Sequence, residues 1–332
     1  MIQKNKILVL IVALILCMGL VSGCGKIDSS ADKMKEKNKI SIVCTNFPQY
    51  DWVREIIGKN TEQFDLTLLM DDGVDLHNYQ PTAGDIAKVG ACDIFIYVGG
   101  ESDEWVEDAL EKTTNKDMQV INLLEVLGAN VKAEEVVEGM QSGEEEDEKQ
   151  EESLEYDEHV WLSLKNTKIL VDKITESIVK INTSHEKEFE QNRNRYITKI
   201  DELDKNYENT VKASTNRTIL FGDRFPFRYL ADDYNIKYYA AFAGCSTETE
   251  ASFETITFLA KKVDELELSS VLVIENSNQK IADTICKNTK EKNQKILVMN
   301  SLQSVTKAEL EGDFTYLNAM EDNLEILKQA LN

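Results

Sequence analysis

No part of this chain reads as a basic stripe. Thirty-seven Lys and Arg stand against 60 Asp and Glu, a net charge of −23, which excludes nucleic acid as a partner. The apolar run Ile7–Leu20 is shorter than the roughly 20 residues a membrane span needs. HExxH and GxSxG are absent, as is any Ser–His–Asp spacing, so a hydrolase reading lacks its usual groups. Proline is limited to Pro48, Pro81 and Pro226, and histidine to His77, His159 and His185. Between Asn166 and Ala213 there is neither Pro nor Gly.

What is present begins with 42% hydrophobic residues over 332 positions, enough for the cores of two ordinary domains. The unbroken stretch carries two helical stripes: Leu170, Ile174, Ile178 and Ile181, then Phe189, Tyr196, Ile200, Leu203, Tyr207 and Val211. Thr183 or Ser184 could cap the second helix. From His185 to Ala213 it would run roughly 43 Å at 1.5 Å per residue, the height of a whole domain. On both sides short β-branched runs alternate with amphipathic segments, the pattern of parallel sheets covered by helices. In the first half the expected strands are 39–45, 64–70, 92–100 and 119–123; in the second, 218–221, 236–241, 270–275 and 295–299. The expectation is an α/β chain of two lobes with four-stranded parallel sheets, joined by a single long helix. No sequence repeat relates the lobes; only the strand–helix order recurs. The three prolines lie beside strand ends or helix starts, where open α/β sheets bind ligands, and suggest a preorganised mouth between the lobes.

At the N-terminus, Lys4 and Lys6 precede Ile7–Leu20, and VSGC (21–24) follows. This is a secretory signal. Ending on Cys24, it resembles a bacterial lipoprotein signal, with Cys24 as the lipidated first residue and the remaining chain extracytoplasmic. The expected divisions are signal 1–23, tether 24–38, first lobe 39–165, helical linker 166–213 and second lobe 214–332. Within the first lobe, Glu134–Glu158 holds 13 acidic residues and one Lys, a net of −12. Dense like charge with glycine and serine breaks predicts a mobile loop. Of six cysteines, Cys17 falls in the signal. Cys44, Cys92, Cys245 and Cys286 allow three pairings, but each lies in or beside an expected element, where a buried free thiol is the simpler reading.

His77 sits in DLHNYQPT (75–82) after the second strand, and His159 in YDEHVWLSLKN (156–166) at the end of the acidic segment. Two imidazoles on loops above a sheet suit a transition metal. His185, at the start of the long helix, reads as structural. The segments FPQYDWVREIIG (47–58), LHNYQPT (76–82), CDIFIYVGGESDEWVE (92–107), HVWLSLKNTKILVDKI (159–174) and NAMEDNLEILKQAL (318–331) resemble the solute-binding lipoproteins of zinc- and manganese-type ABC importers, adhesin-like members included. The resemblance implies capture of a divalent transition metal, zinc favoured and manganese possible, in the cleft between the lobes, and delivery to a membrane permease. The alternative is a surface adhesin or sensor of the same fold with a degraded site. His77 and His159 match the family's first-lobe ligands. Its third and fourth ligand positions fall on Arg224 and Asn300. Guanidinium cannot ligate a cation and an amide oxygen does so weakly, so the second-lobe half is missing or rebuilt. Asp223, Glu250 and Glu275 are the candidates for rebuilding it, and one of them is expected to pair with Arg224.

Overall fold

The computed structural model describes residues 39–141 and 155–332. The signal, Cys24, the tether and positions 142–154 lie outside the described residues.

In the first lobe β1 (Ile40–Cys44), β2 (Phe64–Leu68), β3 (Ile94–Tyr97) and β4 (Gln119–Asn122) form a parallel sheet in the order β2-β1-β3-β4. In the second, β5 (Thr218–Phe225), β6 (Lys237–Ala243), β7 (Ser270–Ile274) and β8 (Lys295–Met299) take the same relative order, β6-β5-β7-β8. The central strands β3 (IFIY) and β7 (SVLVI) are nearly continuous in Val, Ile, Leu and Phe, as strands covered on both faces must be, while the edge strands β2 and β4 mix in polar residues. Connections between parallel strands have to cross back, and α1 (Phe47–Ile57), α2 (Ala83–Ala91) and α3 (Trp105–Glu111) do this in the first lobe, with α4 (Leu123–Leu127) following β4. The residues that carry chemistry therefore collect in the loops after the strands.

Local chemistry sets the helix ends. Asn46 accepts the Gln49 amide and Gln49 answers, a reciprocal cap; Pro48 occupies the first turn, and Gly58 at φ +58° ends α1. A Cβ on Gly58 would lie 2.6 Å from Asn192 Nδ2. That same amide donates to the Ile56 carbonyl at 2.8 Å, tying α1 to the long helix.

The helical stretch is two helices, α5 (Leu164–Ile181) and α6 (Glu186–Ala213), broken at Asn182. Ser163 caps α5 through the Asn166 amide. The α6 stripe read from the sequence is buried throughout, and α5 buries Leu170, Ile174 and Ile178. At 28 residues α6 spans about 42 Å. It packs on α5 and α1 from the first lobe and on α7 (Arg228–Tyr234) from the second. The remaining second-lobe helices are α8 (Phe253–Glu265), α9 (Lys280–Asn288), α10 (Lys307–Glu311) and α11 (Tyr316–Ala330). The last of these returns to the first lobe: the Tyr316 amide donates to Asp51, and Tyr316 Oη to the Trp161 carbonyl. One continuous hydrophobic core thus runs through both lobes, and Ile40–Asn332 form a single compact unit. His185 holds the break between α5 and α6 through Asn182 and Gln63, the structural role expected of it.

Two expectations need correcting. Strand β5, expected to end at Phe221, continues through a register shift to Phe225, so Asp223 and Arg224 lie within it rather than just beyond its end. Gly222 makes this possible, since a Cβ there would meet Ala282 Cα at 2.6 Å where α9 crosses the sheet. The acidic segment is also not one mobile loop. Its described flanks are built in: Ala133 bridges Tyr156, Gln141 bridges Phe242 of β6, and Asp157 and Glu158 are buried.

Candidate metal centre

The loop after β2 delivers His77. Asp75 caps a single 3-10 turn, Leu76–Asn78, by accepting the His77 amide at 3.0 Å. The segment before α5 delivers His159, which is fully buried. Their Nε2 atoms face each other at 3.2 Å. The Nδ1 atoms face away and are engaged: His159 Nδ1 is 2.9 Å from Asp157 Oδ1, and His77 Nδ1 is 2.9 Å from Ser102 Oγ and 3.7 Å from Glu158 Oε2. A carboxylate on Nδ1 leaves the Nε2 lone pair of His159 outward, the arrangement that orients a metal-binding imidazole. Burial, with His159 and Arg224 nearby, lowers His77 to about 2, so its ring is neutral, the form that binds metal.

The second lobe meets this pair with two groups. Gln303, buried after β8, places Nε2 2.7 Å from His159 Nε2. Cys245, after β6, offers Sγ within 4.8 Å of the imidazole nitrogens, making with them the one cluster of three His, Cys or carboxylate donors among the described residues. The backbone before Cys245 lies directly on the imidazole, for a Cβ on Gly244 would sit 3.2 Å from His159 Cε1. Burial, with Glu134, Asp157 and Glu158 around it, keeps the Cys245 thiol well above its usual pKa. Two oxygens in this neighbourhood, Glu158 Oε2 and Gln303 Oε1, are buried with no protein hydrogen-bond partner. Two imidazole nitrogens, a sulfur and the unpartnered amide oxygen of Gln303 close together fit a borderline-soft divalent cation.

Of the residues expected from sequence, the structure brings His77 and His159 together and leaves the second-lobe carboxylates out of that cluster. Glu275 is half-buried, with Ser301 N and Oγ each donating to it at 2.6 Å, and desolvation raises its pKa. Glu250 is exposed. Asp223 accepts the Arg224 amide and lines a separate 450 Å³ cavity between the lobes, together with Asp75, Arg224 and Glu275. Arg224 is paired, but with Asp75 of the first lobe and not with Asp223, Glu250 or Glu275. The Asn300 side chain accepts the Leu302 amide at 2.8 Å and so shapes a turn. Gln303 lies three positions on and is what reaches His159. Leu302 adopts φ +59°, a left-handed conformation that costs a side-chain-bearing residue about 1–2 kcal/mol. Glu275, Asn300 and Asn323, which accepts the Asn300 amide, hold the turn that presents Gln303.

The family described as zinc-uptake complex component A, periplasmic (ZnuA), matches residues 42–330. The chain belongs to the ZnuA family. It is 29% identical to the high-affinity zinc uptake system protein ZnuA of Bacillus subtilis (strain 168) over 320 residues, 95% of each chain. It is 28% identical to the zinc-binding lipoprotein AdcA of Streptococcus pneumoniae (strain ATCC BAA-255 / R6) over 299 residues, 90% of this chain and 57% of AdcA. Among solved structures, the metal-dependent lipoprotein YcdH of Bacillus subtilis superposes with a TM-score of 0.71 at 27% identity, covering 88% of this chain and 99% of that one. The Zn(II)-bound ZnuA-like domain of Streptococcus pneumoniae AdcA gives 0.68 at 28% identity, covering 88% and 99%. Against this ZnuA-type background, the sequence did not reveal that Asp157, Ser102, Gln303 and Cys245 would stand around the histidine pair. The first had a visible signal, a carboxylate two residues before His159; the others are brought in by loops whose course no spacing reveals.

Proposed function

We propose that this chain is the extracytoplasmic solute-binding component of an ABC importer, capturing zinc between its lobes and handing it to a membrane permease. Cys24 would carry the lipid that keeps it at the membrane surface. The observation that carries the reading is the His77–His159 pair, with Nε2 atoms 3.2 Å apart and Nδ1 atoms held from behind. Each ring turns its Nε2 toward the other, and rigid backing lowers the reorganisation needed on binding. The ion is cargo, so capture and release need only ligand exchange. Family membership and two zinc-named relatives support the cargo assignment.

A second reading, a surface adhesin or sensor of the same fold, draws on Arg224, a permanent cation lining the cavity between the lobes. Calorimetry with zinc on the purified full chain separates them. Transport predicts one tight site, and loss of at least two orders of magnitude in affinity for His77→Ala and for His159→Ala. A chain that takes up no zinc, or two variants that bind as the parent does, would favour the second reading.

A further inference from the structure

The loop after β6 carries an observation the capture reading does not use. We infer that Cys245 is the third protein ligand of the captured ion, closing from the second lobe a site that His77 and His159 open from the first. This rests on the reading that the ion is held at the His pair. Cys245 differs from the other described cysteines: Cys44, Cys92 and Cys286 are buried among apolar side chains, whereas Cys245 is only partly buried. It lines a 180 Å³ cavity with His77, Ser102, Glu134 and Glu158. Its position is fixed from two sides. The Cys245 amide donates to Glu134 Oε1 at 2.8 Å, and Gly244 packs on His159. The unpartnered Gln303 amide oxygen lies beside the metal-facing Nε2 of His159, while Glu158 backs His77 at Nδ1. Arg224 cannot compete, since its guanidinium is tied to Asp75 and the Ser246 carbonyl.

On binding, the Cys245 S–H bond breaks, a metal–sulfur bond forms, and the proton leaves to solvent. The thiolate brings one negative charge to the ion, which two imidazoles cannot. It also sets selectivity. Thiolate is a soft ligand that favours zinc, whereas manganese prefers carboxylate, carbonyl and water oxygens. The site therefore discriminates through the element it offers, without a carboxylate from the second lobe.

X-ray absorption at the zinc edge on the zinc-loaded full chain tests this directly. The expected spectrum has one sulfur at about 2.3 Å beside nitrogen or oxygen at about 2.0–2.1 Å. A shell of nitrogen and oxygen alone overturns the ligand assignment and leaves the capture reading standing, because zinc is still bound. A chain that binds no zinc overturns both. Cys245→Ser, near-isosteric and in a partly exposed loop, should weaken zinc by more than the roughly 10- to 100-fold that loss of an outer-shell partner costs, while manganese binding changes far less. An unchanged zinc-to-manganese ratio in the variant also overturns the assignment. Should that variant fail to fold, the spectrum of the parent chain decides alone.

Discussion

At the scale of single residues, the chain separates groups that bind from groups that hold. Glu275, Asn300 and Asn323 all stand near a second-lobe strand end, where a ligand is easily imagined. Their hydrogen bonds are spent on the Asn300–Leu302 backbone, supporting a left-handed Leu302. Residue type and loop position could not distinguish these roles, because a carboxylate that caps a turn and one that binds a cation read alike in sequence. His77 and His159 were legible because few other residues could supply imidazole. Away from the site, Asp51 makes a testable case. It is buried, accepts the Tyr316 amide at 2.8 Å and faces Arg54 at 3.5 Å. Burial outweighs both partners and raises it from 3.8 to about 6. A folded pKa above the unfolded one means the folded chain holds the proton more tightly. The stabilisation is thus fully present below the unfolded value and lost as pH rises through the folded one. From this group alone, the metal-free chain should gain about 1.3 kcal/mol between pH 7 and pH 5. Asp51→Asn should remove that part of the gain in urea unfolding at the two pH values. The same pH difference in parent and variant would contradict it.

At the scale of elements, strands and long helices were readable, with boundaries shifted by a residue or two, because burial imposes their periods on the sequence. The α6 stripe is the clearest instance, each expected apolar position being buried. Two features were not readable. One is the extension of β5 through Gly222, which depends on how closely α9 crosses the sheet. The other is the acidic segment, where charge density pointed to a loop but the flanks form bridges to Ala133 and Phe242. Charge says nothing about backbone pairing. Positions 142–154 still carry seven acidic residues and one lysine. Replacing them with a Gly/Ser chain of equal length should leave the folded unit and its tightest site intact, and should reduce only the number of weakly held ions. Metal counting after dialysis, alongside a thermal melt, checks this. Loss of the tight site would place primary ligands in the segment.

At the scale of the whole molecule, two sheets share one relative strand order, and ion pairs such as Lys132–Asp232, Arg228–Glu135, Lys307–Asp72 and Arg224–Asp75 join the lobes that carry them. Asp75 serves both lobes: it caps the turn bearing His77 and pairs with Arg224. The pair neutralises a cation that would otherwise oppose a divalent ion through a medium of low effective dielectric. Asp75→Asn retains a capping side chain but frees the Arg224 charge and removes this one of the ion pairs between the lobes. Zinc affinity should fall by about tenfold, near 1.4 kcal/mol, and the double change Asp75→Asn with Arg224→Gln should recover part of it. Competition with a chelator measures both; equal affinity in parent and single variant would mean the pair has no bearing on the ion.

Capture by this chain requires the ion to sit between His77 and His159. Anomalous diffraction from a zinc-loaded crystal at the zinc edge reads its position directly. The account predicts a single strong peak at bonding distance, about 2.0–2.1 Å, from Nε2 of both histidines, enclosed by the second lobe. A peak elsewhere, whether among the acidic flanks or in the larger cavity beside Asp75 and Glu275, would contradict it.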